Sequence, residues 1–227
     1  MEYRQFNKTG LYVSEIGIGT NRFGHKVDKN NVIEILHYCV DNNINHLDTA
    51  NVYANGKSEE ILGESFGNLR KNFIIGTKVG WDNSFDNGLG LLSSRSINYH
   101  VNNSLKKLKT DYIDILWLHK WDNTTHIDET LKTINSLINQ GKIRYIGLST
   151  ENIEDVKLIN RFYKIDVIMF PQSLINNPKN ILRFVENKNT GTLIRGVLED
   201  GRLSGKYFES EPSFSKDDIR INLSKSI

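Results

Sequence analysis

The chain has 227 residues, which is enough for one large domain or two small ones. A hydrophobic share of 38% and a charged share of 25% are typical of a soluble globular protein. The 29 Lys and Arg residues nearly balance 27 Asp and Glu residues, and a net charge of +2 argues against a nucleic-acid footprint or a basic membrane-binding surface. A single cysteine, Cys39, excludes an internal disulfide.

The N-terminal segment, MEYRQFNKTG, shows no targeting signal. It lacks the apolar stretch of a signal peptide, and it does not have the length of a membrane span. We therefore predict a cytoplasmic protein that binds neither a membrane nor nucleic acid. No metal site is predicted.

The chain opens with a predicted β-hairpin over residues 1–13, because turn-forming residues interrupt an extended segment. Behind it, short apolar runs alternate with amphipathic stretches, which predicts seven core strands and six helices. The predicted strands cover residues 14–20, 44–47, 72–77, 112–118, 143–148, 166–170 and 191–195. The predicted helices cover residues 28–42, 58–66 and 180–185 and follow apolar stripes within residues 97–108, 127–138 and 153–159.

Local signals mark some helix ends. Asp28 is expected to cap the first helix through its carboxylate. Thr125 and Asp128 resemble a capping box in front of the fourth helix. Gly141 is expected to end that helix, because glycine adopts the left-handed cap conformation at little cost.

Strands and helices that alternate through short loops demand a parallel sheet with right-handed crossovers. An open doubly wound sheet and a (β/α) barrel both satisfy this pattern. The glycine-containing stretch at residues 17–20 lacks the third glycine of a dinucleotide fingerprint, which favours the barrel. No linker or composition break occurs before about residue 210, so we predict one domain over residues 1–227 with a C-terminal tail at 210–227.

Titratable groups follow three successive predicted strands. Asp48 and Tyr53 follow the second core strand, Lys78 ends the third, and His119 ends the fourth. Parallel α/β folds place their chemistry at the carboxyl ends of strands. A purely structural Lys78–Asp48 salt bridge and a buried core histidine are the alternative interpretations.

Six segments of the chain, in this order and spacing, resemble the aldo-keto reductases over about residues 3–208. They are YRQFNKTGLYVSEIGIGT, DTANVYANGKSEEILG, FIIGTKVG, SLKKLKTDYIDILWLH, QGKIRYIGLST and RGVLEDGRLSGKY. The resemblance implies a TIM-type (β/α) barrel. It also implies reduction of an aldehyde or ketone with a nicotinamide cofactor, most often NADPH, with NADH as the other possibility.

The resemblance makes Tyr53 the general acid, with Asp48, Lys78 and His119 beside it. The chemistry explains these residue types. Hydride addition to a carbonyl leaves an oxyanion that needs a proton, and a nearby lysine ammonium favours release of a phenol's proton. The carboxylate of Asp48 would keep the lysine charged, and His119 would orient the substrate oxygen.

The resemblance also implies a set of cofactor-binding residues. Those on the nicotinamide side are Thr20, Asn21, Asp48, Ser149, Thr150, Gln172 and Arg195. Thr150 stands where the family more often has asparagine, and Arg195 stands where many relatives have an aromatic residue. The loop that would cover the pyrophosphate contains Gly196, Leu198, Gly201, Leu203, Gly205 and Lys206.

The family continues into a further helix, an eighth strand and an eighth helix, which hold the adenine and the 2′-phosphate. We therefore expect an incomplete, seven-stranded barrel whose first and last core strands are edges. Self-association or a partner chain is expected to cover them.

Two functions remain open at this point: a carbonyl reductase, and a non-catalytic binding or regulatory relative. The intact catalytic set favours the first, and the missing adenine segment favours the second. Substrate identity is not predicted, because loops of variable sequence set it.

Overall fold

The structure is a computed structural model that describes residues 1–6, 9–81, 91–188 and 190–206. The N-terminal segment forms the predicted antiparallel hairpin. Strand β1 (Tyr3–Gln5) pairs with β2 (Tyr12–Ser14), and Tyr3 lies opposite Ser14. Residues 7–8 of the predicted turn and the predicted tail at 210–227 lie outside the described residues.

Seven parallel strands follow the hairpin and pair in chain order. They are β3 (Gly17–Gly19), β4 (His46–Asp48), β5 (Ile74–Val79), β6 (Ile113–Leu118), β7 (Ile143–Ser149), β8 (Val167–Pro171) and β9 (Gly191–Arg195). A doubly wound sheet reverses its strand order at a switch point. The unbroken order therefore excludes that alternative and confirms the barrel-type prediction.

The predicted helices are all present. They are α1 (Lys29–Asp41), α2 (Lys57–Ser65), α3 (Ser94–Leu108), α4 (Ile127–Asn139), α5 (Ile153–Phe162) and α6 (Lys179–Lys188). Asp28 caps α1 as predicted, because its Oδ1 accepts a hydrogen bond from the Asn31 amide at 3.0 Å. Within the described ranges, none of the helices is long and apolar enough to cross a membrane.

The predicted capping box of α4 is wrong. The N-cap is His126, whose Nδ1 accepts from the Asp128 amide at 3.4 Å. The Thr125 hydroxyl instead donates to Asp122 Oδ2 at 2.5 Å. Thr125 therefore stabilises the loop after β6 and does not cap the helix. The helix end behaves as predicted, since α4 stops at Asn139 and Gly141 takes the left-handed conformation with φ +71.

Apolar side chains form three clusters. Two of them lie between the helices and the outer face of the sheet. The third fills the inner face, where Phe6 and Val13 of the hairpin region pack with Trp117 and Met169. The Tyr145 hydroxyl also donates to the Thr9 carbonyl. The hairpin therefore closes the amino-terminal end of the sheet interior and leaves the carboxyl ends of the strands free for a site.

The sheet is an open, curled half-barrel within the residues that the structure describes. There, β3 pairs only with β4 and β9 pairs only with β8. No eighth parallel strand occurs in these residues. The predicted fold class, a seven-stranded incomplete barrel with an N-terminal hairpin, is confirmed.

Candidate active site

The loop that follows β4 carries Tyr53 directly ahead of a strained stretch of backbone. Tyr53 opens a short 3-10 helix, and the next three residues, Ala54, Asn55 and Gly56, have φ values of 49, 55 and 87. A left-handed conformation costs a non-glycine residue about 1–2 kcal/mol. Contacts hold the loop in this shape, among them the approach of Asn51 Nδ2 to His100 Nδ1 at 3.1 Å.

Asp48 and Lys78 form a close ion pair at the carboxyl ends of β4 and β5. Lys78 Nζ donates to Asp48 Oδ2 at 2.6 Å and to the Thr49 carbonyl at 2.6 Å. Lys78 is only 1% exposed, so its charge depends on these partners. Burial raises the pKa of Asp48, while the neighbouring Lys78 ammonium acts in the opposite direction. The predicted salt bridge is real, and it lies within the candidate site.

The aromatic residues of the site stand around this ion pair. Lys78 Nζ lies 4.7 Å from the centre of the Tyr53 ring. The Tyr53 and His119 rings meet edge to face with their centres 6.4 Å apart, and the Trp81 ring lies 4.8 Å from His119. Burial, followed by the positive charges of Lys78 and Arg195, lowers the pKa of His119 to about 3. His119 is therefore neutral at physiological pH.

A cleft of about 760 Å³ opens over these groups. Its walls come from the carboxyl ends of β5, β7 and β9 and from the segments that follow β4, β5, β6 and β7. Residues that are distant in sequence therefore meet there. The lining residues are Tyr53, Lys78, Trp81, His119, Lys120, Trp121, Ser149, Thr150, Glu151, Asn152, Asp155 and Arg195.

Three of the predicted cofactor residues line the same cleft, and two of them already have partners. The Thr150 hydroxyl donates to Asp155 Oδ2 at 3.0 Å and accepts from the Asn152 amide at 3.0 Å. Arg195 Nη2 donates to Glu151 Oε1 at 2.7 Å. Ser149 is the third, and no side-chain bond engages its hydroxyl among the described residues.

Gln172 follows β8 and lies beside this wall of the cleft without lining it. Its backbone N–H donates to the Arg195 carbonyl at 3.1 Å, which extends the pairing of β8 with β9 beyond Pro171. Two of the predicted cofactor residues, Gln172 and Arg195, are thereby brought together. The side chain of Gln172 is partly buried.

Thr20 and Asn21 have different surroundings at the end of β3. Thr20 is fully buried, and its hydroxyl donates to the Asp48 carbonyl at 3.1 Å and lies 2.9 Å from Ser58 Oγ. It therefore ties the ends of β3 and β4 together and does not line the cleft. Asn21 is exposed in the turn that follows. The cofactor contacts of both residues remain predictions.

The segment after β9 forms a separate loop. Gly196 has φ +69, a 3-10 helix spans Glu199–Ser204, and Gly201 and Gly205 again have positive φ values. The side chains of Leu198 and Lys206 are exposed, and Leu203 is partly buried. None of these residues lines the cleft, so the predicted pyrophosphate contacts also remain predictions.

Several residues that line the cleft were not predicted from the sequence. Trp81 lies two residues beyond β5, Lys120 and Trp121 lie two and three beyond β6, and Glu151 lies two beyond β7. Their position in the sequence could have predicted them, because residues just past the carboxyl ends of parallel strands face the site of such folds. Tryptophans and charged residues at those positions are the ones to select.

Comparisons with known proteins agree with this geometry. The profile described as "Aldo/keto reductase family" matches residues 15–223. The chain is 34% identical to "Uncharacterized oxidoreductase YqkF" of Bacillus subtilis, with 99% of this chain and 74% of that protein covered. It is 33% identical to "Aldo-keto reductase YhdN" of the same organism, with coverages of 97% and 69%.

A solved structure gives the same result for the fold. The holo form of aldo-keto reductase AKR11C1 from Bacillus halodurans superimposes with a TM-score of 0.84 at 29% identity. The superposition covers 95% of this chain and 73% of that one.

Proposed function

The chain belongs to the aldo/keto reductase family, and on this premise we propose that it reduces an aldehyde or ketone to an alcohol by hydride transfer from a nicotinamide cofactor. One observation supports the proposal most directly. Tyr53, Lys78 and His119 line one cleft, and Asp48, which does not line it, is paired with Lys78 at 2.6 Å. The oxidoreductase names of the relatives support the same reaction class.

In the proposed mechanism the protein supplies a proton and a fixed geometry. The cofactor, when bound, supplies the hydride. Tyr53 donates its hydroxyl proton to the carbonyl oxygen as negative charge develops there, a step that typically contributes about 10²–10⁴-fold. The Lys78 ammonium, 4.7 Å from the Tyr53 ring centre, favours the phenolate that remains. Asp48 holds Lys78 in place and compensates its charge.

His119 has a positioning role toward the substrate oxygen in this mechanism. Because its pKa is lowered to about 3, it acts as a neutral hydrogen-bonding group and not as a proton donor of the imidazolium type. The Trp81 ring, 4.8 Å from His119, supplies an apolar part of the cleft wall against which a substrate can pack.

We propose NADPH as the cofactor, with NADH as the alternative. The donor set fits a nicotinamide amide, because Ser149 has a hydroxyl without a side-chain partner in the described residues, whereas the Thr150 hydroxyl is engaged twice. Arg195 can stack its planar guanidinium on an aromatic ring while keeping its bond to Glu151. Asn21, Gln172 and the residues after β9, with Lys206 as their cation, are the further proposed contacts.

The non-catalytic alternative is not favoured. A chain that only bound partners would have no need for a lysine that is 1% exposed, ion-paired to Asp48 and next to a cleft tyrosine. The family's oxidoreductase relatives point the same way.

The test combines cofactor binding with turnover. The chain is titrated with NADPH and with NADH while cofactor fluorescence is recorded, and it is then assayed on a panel of aldehydes and ketones. Tyr53→Phe should keep cofactor binding and lose at least about 100-fold in turnover, since it removes the proton donor. Tyr38→Phe, at an exposed position on α1, is the matched control and should match the parent.

The outcomes of this test decide the role of Tyr53 and the choice between the two functions. Turnover by Tyr53→Phe within a few-fold of the parent would contradict the proposed role of the phenol. Failure of both cofactors to bind at millimolar concentration would favour the non-catalytic alternative.

We also propose that the sheet edges bring copies of this chain together. In the described residues β3 and β9 each have one neighbour, and edge strands present unpaired amide and carbonyl groups to other chains. Light scattering at tens of micromolar should therefore detect species larger than a monomer. A monodisperse monomer of 26.1 kDa would contradict this proposal.

A further inference from the structure

Trp117 occupies the middle of the sheet interior, directly among the strands that carry the catalytic set. It lies on β6, is fully buried, and extends over glycines on both neighbouring strands. A Cβ atom built on Gly76 of β5 would lie 2.4 Å from Trp117 Nε1, and one built on Gly147 of β7 would lie 2.2 Å from its Cε3. The indole N–H therefore lies over β5, on the side of the ring toward β4.

Several buried polar atoms of the sheet interior lack a hydrogen-bond partner among the residues that the structure describes. They include Trp117 Nε1, Asp48 Oδ1, Nδ1 of His119 and both ring nitrogens of His46. The second carboxylate oxygen, Oδ2, already accepts from Lys78. Buried polar groups of native proteins are bonded to protein or to ordered water in the great majority of cases, and an unsatisfied one is costly. Trp117 Nε1 and Asp48 Oδ1 therefore each need a partner. The two lone pairs of Oδ1 can accept from a water molecule and also from the cofactor that Asp48 is predicted to contact.

The strand register places these atoms on the same side of neighbouring strands. Asp48 of β4 lies opposite Gly76 of β5, the glycine over which the indole N–H lies. Adjacent strands are about 4.7–4.9 Å apart. Since neither atom has a partner, they do not bond to each other directly, and one bridging water molecule between neighbouring strands would satisfy both.

We propose that a buried water molecule binds between Trp117 Nε1 and Asp48 Oδ1, which makes Trp117 a positioning residue for the Asp48–Lys78 pair. The water accepts a hydrogen bond from the indole and donates one to Oδ1, so that Oδ2 stays directed at Lys78. A donor on the carboxylate also favours its charged form. The water site is independent of any activity, whereas its effect on chemistry rests on the proposed function.

The first arm of the test is nuclear magnetic resonance on the intact chain. The chain contains three tryptophans, so ¹⁵N labelling gives three indole signals, assigned with single Trp→Phe variants. The Trp117 Nε1–H should show a cross-peak to a long-lived water molecule. Absence of that cross-peak overturns the proposal. This arm needs no turnover, so it decides the water site even if the chain reduces no carbonyl compound.

The second arm compares Trp117→Phe with Met169→Leu, an apolar change in the same buried cluster on β8. Trp117→Phe should lower kcat by about threefold to tenfold, the value of one hydrogen bond, with KM within twofold. It should also move the acid limb of the pH profile to higher pH, because the Asp48 carboxylate loses a donor. Lys78 and Arg195, the cations that act on Asp48, are unchanged in both variants.

Met169→Leu should leave kcat and the pH profile as in the parent. Equal behaviour of the two variants would mean that Trp117 only fills space, and would overturn its positioning role. Loss of activity in the parent chain itself would contradict the proposed function and leave the water site to the first arm.

Discussion

Two histidines in the sheet interior, His46 and His119, have similarly lowered pKa values but different surroundings. Burial, followed by the charge of Lys78, lowers the pKa of His46 to about 4 and that of His119 to about 3. His46 begins β4 and packs against Phe6 of the hairpin, with ring centres 6.0 Å apart. His119 follows β6 and lines the cleft.

The comparison shows that a lowered histidine pKa does not identify a site by itself. Desolvation produces it at either end of the interior, because a buried imidazole loses the hydration of its charged form. What separates the two residues is access to a cleft that other reactive groups share. A perturbed pKa therefore supports a functional assignment only together with geometry.

The largest effect that we expect concerns the pH dependence of stability at His46. Its folded pKa lies below the ordinary value of 6.5, so the unfolded chain takes up the proton first as pH falls. The contribution of the neutral His46 to the free energy of unfolding is fully present above pH 6.5 and is lost as pH falls toward 4. The loss is on the order of 3 kcal/mol. His46→Leu should abolish this pH dependence, which is measured by urea unfolding at pH 7.5 and at pH 4.5.

The control for this prediction is His37→Leu, at an exposed position on α1, which should keep the parent's pH dependence. His119 contributes with the same sign in parent and variants, so its effect cancels in the comparison. If His46→Leu lost as much stability on acidification as the parent, the acid loss would come from other groups, and the lowered pKa of His46 would be contradicted.

The next prediction separates the two histidines by activity. His119→Leu removes a hydrogen-bonding group from the cleft and should reduce kcat/KM by about 100-fold, as loss of one such donor does elsewhere. His46→Leu should stay within about threefold of the parent, since the residue lies at the hairpin end. Initial rates with a saturating cofactor measure both. Equal losses in the two variants would mean that position in the cleft is not what distinguishes them.

A third prediction addresses the packed layer between the two histidines. Gly147→Ala would place a methyl group 2.2 Å from Trp117 Cε3, so the indole must shift. Overpacking of this kind costs about 1–3 kcal/mol. Gly19→Ala on β3 is the matched control, because a Cβ there meets nothing within 4 Å. Thermal melting of both variants tests this, and a similar Tm for the two would contradict the packing described for Trp117.

The smallest effect concerns Asp122, an acid near the cleft that serves the structure. Burial raises its pKa, but hydrogen bonds from Thr124, Thr125 and the Leu92 amide outweigh this and lower the value to about 2. The stabilisation of the fold by the ionised Asp122 carboxylate is present at pH values above its ordinary pKa of 3.8 and is lost as pH falls toward 2. Asp122→Asn should cost about 1–2 kcal/mol at pH 7, and less at pH 3.

Denaturant unfolding at these two pH values checks the prediction for Asp122. Asp41→Asn, at the exposed end of α1, should show no such change. A variant as stable as the parent at pH 7 would mean that the carboxylate charge adds nothing to this loop.

Much of the fold could be predicted from the sequence, because strand and helix periodicities are local. The last strand, Gly191–Arg195, begins and ends at the predicted residues, and α1 begins behind its predicted cap, Asp28. The meeting of Tyr53, Lys78 and His119 at one cleft was predictable in a similar way, whereas their catalytic roles were implied by the family resemblance and remain a proposal. Each of these residues ends or follows a strand, and the carboxyl ends of parallel strands meet at one edge.

Only the tertiary structure decided which partner each side chain takes. Thr125 had the spacing of a helix cap, yet its hydroxyl serves Asp122, because loop packing placed a better acceptor beside it. The engagement of Arg195 by Glu151, and the position of Trp117 between two glycines, depend on strand register. Register joins residues that lie many positions apart, and no pattern within a single strand or helix specifies it.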